Sequence, residues 1–591
     1  MSLKKINLSF VFLFVAGAFL LFTSCEDDDV TDPDDDEEQQ DDDDDDDDDP
    51  GDDHEDKPYE ETIMLDCAID EDMTLEPVED VPVDYFVPCQ GFANVNAGLT
   101  VEPGVVIMFA EGAGIEAREG GFLKVEGTDD QPVTLRGVNE DMPGEWLGVI
   151  YSSDNPENSI DHAIITGSGG DEDRNTALLG SSGQLALTNT TIEYSEFDGA
   201  HFNEDFEITE FASNSLINNE RFGLSLFADH IGHLDDDSEY EDGNAEEFIW
   251  LNGGTVENDQ EWIGLETPFL VENSFDVYAE LNINHPNEFY FTSETEVEVR
   301  EGYLNIQGTE GEGGLVTFRG EVETDGYWDG ITFRTNHPEN SLDFVSVQHG
   351  VRNIYFMEGQ AAITNTHSHD AEEQGLEVNE DAEIIQFANN NFANNGDVPL
   401  KIHTQHIAAL DGFSVYEDNS EQYIEVHSGV VKNDATWHSQ SVPYLMKGGT
   451  PTGSRQRVEA EVTIEAGADF RIEDTYLETV SGEGGSFQAI GEPGNEITFT
   501  GRISEPGAPG AQWKGIRHRT QALSNFEHVV IANGEDYNIA AGDKGQINIS
   551  NSEIRDSGGY GVSKLFTCDD DCNITLNNID FSNNPDGDTD F

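Results

Sequence analysis

Short runs of alternating apolar and polar residues occupy most of this chain. In LTVEPGVVI, from Leu99, an extended strand places Leu99 and Val101 on one side and Thr100 and Glu102 on the other, the pattern of a half-buried strand. Runs of the same kind follow, as in FLKVEGTDDQPVTLRG from Phe122, punctuated by Gly and by Asn-Gly or Asp-Gly steps that turn the chain. Apolar stripes of helical period are absent beyond the first 25 residues. Many short strands and little helix are therefore expected.

The runs repeat over long distances. PGEWLGVIYSSDNPENSID from Pro143 reappears as DGYWDGITFRTNHPENSLD from Asp325, and GAQWKGIRHRT from Gly510 is a third version. Upstream, LTVEPGVVIMF, LNINHPNEFYF from Leu281 and VTIEAGADFRI from Val462 correspond. Downstream, GLSLFADHI from Gly223 matches PLKIHTQHI from Pro399, a segment the third copy does not reach. Trp146, Trp328 and Trp513 recur at nearly equal intervals, each followed two residues later by Gly148, Gly330 or Gly515. A tandem array predicts one continuous stacked body rather than several independent domains.

LTVEPGVVIMF, LKVEGTDDQPVTLRG and WLGVIY resemble the secreted right-handed parallel β-helix repeat proteins, over roughly residues 90–591. The resemblance implies an all-β fold, a right-handed parallel β-helix (β-solenoid) of about three related modules. Recurrence of the strand–turn unit at roughly 20 to 25 residues predicts about eight coils per module. The expected boundaries are an N-terminal cap region at 59–98 and modules at 99–280, 281–461 and, incomplete, 462–591. Such motifs specify fold well and function poorly.

Lys4 and Lys5 precede an apolar run from Leu8 to Phe22, short for a membrane span and suited to the core of a signal peptide. The following LFTSC resembles a lipoprotein signal, which implies cleavage after residue 24 and lipidation of Cys25, although Phe22 departs from the usual pattern. EDDD at 26–29 resembles the acidic tag that sends some lipoproteins to the outer face of the outer membrane. Residues 25–58, with DDDDDDDDD at 41–49, repel one another and bury nothing, so a disordered acidic tether is expected. Together these imply a surface-exposed outer-membrane lipoprotein that meets the membrane through its lipid.

Setting Cys25 aside, the remaining four of five cysteines fall near the two ends of the body. In an oxidising compartment Cys67–Cys89 and Cys568–Cys572 are the natural bridges. The alternative, a metal site on CDDDC, has no second Cys pair or His at ligand spacing.

The chain carries 125 Asp plus Glu against 25 Lys plus Arg, a formal net charge of −100, and remains strongly acidic when the tether is subtracted. Two explanations stay open: salt adaptation, in which a carboxylate-rich surface stays soluble at high ionic strength, and calcium loading of turn-borne carboxylates. Nucleic acid is excluded as a partner because its phosphates need a basic surface.

The repeats also sort the chemistry, since a residue found in every copy is scaffold and one that differs is free to function. Trp146, Trp328 and Trp513 are scaffold by that test, with stacking on sugars as the alternative. In NTHSHDAEEQGL from Asn365, Ser368 aligns with Ile192 and Ile554 and should point inward. His367 and His369 then face outward beside Asp370, a candidate divalent-metal set. His406 matches His230 and is expected to be structural, and His518 aligns with Tyr151 and Phe333 and is expected in the core. The motifs of β-helix lyases and hydrolases, Gly-His-Gly, Arg-Ile-Lys or a strand-borne Asp pair, are absent. The expected role is binding or adhesion to polysaccharide or another surface molecule. The alternatives are a polysaccharide lyase or glycoside hydrolase, its site expected in the middle module, and a structural surface-layer component.

Overall fold

The computed structural model describes residues 61–139, 142–169, 176–311, 313–448, 455–480, 484–502, 513–568 and 571–591. The leader at 1–24, Cys25 and the tether at 25–58 lie outside the described residues. Strand accounts for 51% of the chain and helix for 2%, arranged as a β-solenoid of about 21 turns. Every strand-to-strand ladder among the described residues is parallel, each strand pairing with its counterpart one coil on. Thus Ile107 aligns with Leu135, Leu135 with Ile165, Ile165 with Ile192 and Ile192 with Leu216. The backbone donors and acceptors of each coil are met by its neighbours, as a buried parallel ladder requires.

The inward positions of these ladders form one apolar column running from Leu65 to Cys572. Identical residues stack on themselves along it: Phe269, Phe289 and Phe318 are in register, with ring centroids 5.1 and 4.9 Å apart. That distance is the spacing of hydrogen-bonded strands, about 4.8 Å. Coil length is less regular than the 20 to 25 residues expected. The step from Leu135 to Ile165 carries a long loop, whereas that from Ile249 to Phe269 is short.

The corners explain how one chain turns so often. Asn189, Asn365 and Asn551, matched across the sequence repeats, have φ of 48°, 50° and 50°, a left-handed conformation that Asn tolerates. Buried Asn side chains tie successive corners together: Asn219 Oδ1 accepts from the Ser195 N–H at 3.0 Å, and Asn395 Oδ1 from the Ala371 N–H at 3.2 Å. Cys67–Cys89 joins the first two coils and Cys568–Cys572 closes a short loop near the other end, both with Cα atoms 5.6 Å apart. The thiols of CDDDC are therefore disulfide sulfurs and not metal ligands.

The described helix consists of two matched 3₁₀ turns, Ala228–His233 and Thr404–Ala409. In each a buried histidine, His230 or His406, meets a backbone carbonyl through Nε2, of Phe206 at 2.9 Å and of Asn379 at 3.1 Å. These are structural histidines. His518 is fully enclosed, between the hydroxyls of Thr479 and Ser524 and the carbonyl of Ala522.

Candidate functional site

Side chains alternate across a strand, so each inward column has an outward row beside it. On the longest sheet one such row begins His201, Ser225, Trp250, Leu270 and continues Tyr290, Arg319, Gln348, His369, each residue paired in register with the next. At about 4.8 Å per coil the row spans on the order of 35 Å. It differs from the acidic surface around it in carrying rings and cations. The Arg319 guanidinium lies 5.2 Å from the Tyr290 ring centroid and pairs with Glu323 at 2.8 Å. The Arg221 guanidinium lies 4.2 Å from the Trp250 centroid, and the Trp250 ring in turn stacks on Phe222 at 5.5 Å.

At the far end the row borders an open groove of about 560 Å³ whose wall includes Glu266, Glu288, Thr317, Gln348, His367 and His369. Ser368 is buried and donates to the Gly375 carbonyl at 2.8 Å, while His367 is exposed. His369 Nδ1 turns to Asp370 Oδ2 at 2.7 Å. Among the described residues no three His, Cys, Asp or Glu side chains come together so as to hold a metal ion. His367, His369 and Asp370, expected as a metal set, are not such a group: both imidazoles line the groove, while the Asp370 carboxylate is turned to His369 Nδ1.

Trp146, Trp328 and Trp513 are enclosed, at 0%, 0% and 1% exposure, which removes the sugar-stacking alternative for them. The carboxylates of Asp229 and Asp235, prominent among the acidic loops, are spent on the backbone. Asp229 accepts from the N–H groups of Glu257 and Asn258, and Asp235 from that of Ser213.

The near end of the row holds a cluster that sequence reading missed. Asp198 is 2% exposed, accepts from the Ser225 hydroxyl at 3.0 Å and faces Arg221 Nε at 3.7 Å. Burial pushes its carboxyl up to about 6 against the opposing pull of Arg221, Ser225 and the Phe222 N–H. His201 Nδ1 lies 2.6 Å from the same Ser225 hydroxyl, and burial drives this imidazole down. The signal was in the repeats. Asp198, His201, Arg221 and Ser225 align with Gln374, Glu377, Asp397 and Lys401, so the two copies differ at all four positions. In the second copy those residues form ordinary pairs: Gln374 donates to Asp397 at 2.8 Å, and Lys401 meets Glu377 at 2.7 Å. The two copies thus diverge at these positions, and the buried carboxyl–imidazole cluster is found in the first of them.

A cluster with a raised carboxyl, a lowered imidazole and a stacked guanidinium suits proton exchange and anion recognition. Comparison with known proteins adds no identity to this geometry: no protein-family model matches the chain, and no match was found among curated proteins.

Proposed function

We propose that this chain is a surface-displayed, lipid-anchored parallel β-helix of three related modules that binds polysaccharide along the outward row from His201 to His369. The observation that carries the reading is that row, about 35 Å long at one-coil spacing, in which His201, Trp250, Tyr290 and His369 supply rings and Arg319, with Arg221 over Trp250, supplies guanidinium groups. Solenoids recognise extended partners through such faces. Aromatic rings offer flat apolar surface to sugar faces, while Gln348 within the row and Thr317 beside it offer amide and hydroxyl partners. Anchoring through Cys25 and display at the outer membrane rest on the leader LFTSC and the acidic EDDD that follows it. Salt adaptation accounts for the acidity of the remaining surface.

A second reading, a polysaccharide lyase or hydrolase, is favoured by one observation, the Asp198 carboxyl raised to about 6. One experiment separates the two. The chain is incubated with a panel of neutral and anionic polysaccharides while binding, ultraviolet absorbance of unsaturated products and new reducing ends are followed. Binding with both product channels silent is the expected result. New absorbance identifies a lyase, and reducing ends without absorbance a hydrolase. Absence of binding, or binding that survives Trp250→Ala together with Tyr290→Ala, overturns the assignment to this row.

A further inference from the structure

The hydrogen bonds around Ser225 constrain where protons sit. Asn203 spends its Nδ2 on the Ser181 carbonyl at 3.0 Å, which turns its Oδ1 toward His201 Nε2 at 3.1 Å, so Nε2 carries a hydrogen. Ser225 Oγ has one hydrogen and two neighbours, His201 Nδ1 at 2.6 Å and Asp198 Oδ2 at 3.0 Å. Two arrangements satisfy every group. In one, a protonated Asp198 donates to Ser225, which donates to a neutral His201. In the other, a protonated His201 donates to Ser225, which donates to the Asp198 carboxylate. Both contain the same single extra proton. Once that proton leaves, the Ser225 hydrogen serves two acceptors, and the carboxylate is left facing the Arg221 guanidinium.

Among the described residues Arg221 is, with Arg517, an arginine that lies over an aromatic ring with no carboxylate at hydrogen-bonding distance. Its guanidinium lies over the Trp250 ring, its side chain is 34% exposed, and its Nε is 3.7 Å from Asp198 Oδ1, beyond hydrogen-bonding distance. Among the described residues no other carboxylate lies within an ion-pair distance of it, whereas Arg300, Arg319, Arg352 and Arg519 each meet a Glu or Asp at 3.1 Å or less. The titratable and charged groups facing the relay are Arg221, beside both Asp198 and His201, and His230 beside His201, itself faced by Asp229 and His233.

Resting on the polysaccharide reading and narrowing it, we propose that Arg221 on its Trp250 platform is the subsite for the carboxylate of a uronate sugar, gated by the proton shared through Asp198, Ser225 and His201. With the proton in place, the Asp198–His201 pair is neutral and Arg221 presents an uncompensated positive charge on a ring suited to the sugar face. With the proton gone, Asp198 is an anion beside Arg221 and repels a second carboxylate. Burial of Asp198 and His201 points the same way, favouring the neutral pair below a pH of about 6.

The test uses the full chain, with polygalacturonate and dextran as probes, at fixed ionic strength and with a chelator present to prevent bridging by calcium. Polygalacturonate should bind at least tenfold more tightly at pH 5 than at pH 7.5, as expected for one linked proton, while dextran affinity stays level. Arg221→Gln should abolish the uronate preference and leave dextran binding in place. Asp198→Asn should hold uronate affinity at its pH 5 level across the range. The wild-type comparison of the two polymers needs no variant and stands if Asp198→Asn fails to fold. Uronate binding that is equal at both pH values, or that survives Arg221→Gln, overturns the gated subsite while leaving the polysaccharide reading intact. Binding of neither polymer at either pH overturns both.

Discussion

The indole N–H of Trp328 donates to the carbonyl of Gln348 at 2.7 Å, joining one coil to the next through a side chain. Trp146 and Thr166 stand in the same relationship at 2.9 Å, and Trp513 and Ala532 at 2.8 Å. Trp328 also stacks on Phe291 at 4.1 Å, as Trp146 does on Phe109 at 4.2 Å, whereas the third copy has Ile472 at that place. The ring fills the column while its one polar atom is satisfied, which is how a buried indole avoids a desolvation cost.

Substitutions at this seat should therefore be among the most damaging in the chain. Trp328→Ala is expected to cost about 3–5 kcal/mol by leaving a cavity. Gly330→Ala should also destabilise strongly, because Gly330 has φ of 102° and an added Cβ would fall 1.8 Å from the Arg352 carbonyl oxygen. Denaturant melts of the two variants check this. A Gly330→Ala variant as stable as the parent would mean that the backbone here is not held as described.

The seat was legible because alternation and repetition are sequence properties. Leu99 and Val101 are buried as their alternation predicts, and the Asn corners keep one backbone conformation wherever the repeat keeps Asn. Coil length was not, because an outward loop such as that between Leu135 and Ile165 lengthens at little entropic cost and leaves the ladder unchanged. The cluster at Asp198 was hidden for a different reason. Asp198 meets Arg221 and Ser225 only through the register of adjacent coils, and no local motif announces that pairing. Comparing Asp198 with Gln374, and Arg221 with Asp397, would have flagged it.

His518 gives the body a defined acid sensitivity. Burial pushes its imidazole down to about 4 from an ordinary 6.5, and the neutral ring suits hydroxyls at Nδ1 and a carbonyl at Nε2. A base with a depressed folded-state value contributes stability that is present above 6.5 and is lost as pH falls through about 4, here on the order of 3 kcal/mol. His406 is likewise held down to about 4 and acts in the same window. Asp198, raised by burial, acts with the opposite sign and offsets part of the loss. His518→Gln keeps a donor and an acceptor without the titration, so its stability should fall less steeply between pH 6.5 and 4. Thermal melts at half-unit pH steps read this, and superimposable profiles for variant and parent would exclude His518 as a source.

The outward and inward members of the His367–His369 strand should respond differently. His367→Ala with His369→Ala is expected to change stability by no more than about 1 kcal/mol, since exposed side chains contribute little. Ser368→Ala removes two buried hydrogen bonds, the one the hydroxyl donates to the Gly375 carbonyl and the one it accepts from the Asn353 amide, and should cost about 1–3 kcal/mol. Urea titrations of the two variants rank them. A double-histidine variant that loses more than Ser368→Ala would reverse the assignment of inside and outside on this strand.

Charge sets the last expectation. With 125 acidic against 25 basic side chains, much of the carboxylate surface has no cation to face, and the ion pairs that exist draw the scarce Arg and Lys onto particular Glu residues. Glu298 receives both Arg300 and Arg334, and Glu478 both Arg455 and Arg519. The remaining carboxylates repel one another over a distance set by screening, about 3 Å in molar salt and about 10 Å at 0.1 M. Stability of the 57–591 body should therefore fall as sodium chloride is lowered from molar to about 0.1 M, and potassium chloride at equal ionic strength should restore it equally well. Recovery with micromolar calcium alone would point to specific ion sites among the loops, and equal stability at both salt levels would remove salt adaptation as the reason for the acidity. If the fall is seen, it should begin where carboxylates are least compensated, so hydrogen exchange at low salt should open loops whose carboxylates meet neither a cation nor a backbone N–H before the ladder strands beneath Glu298 and Glu478.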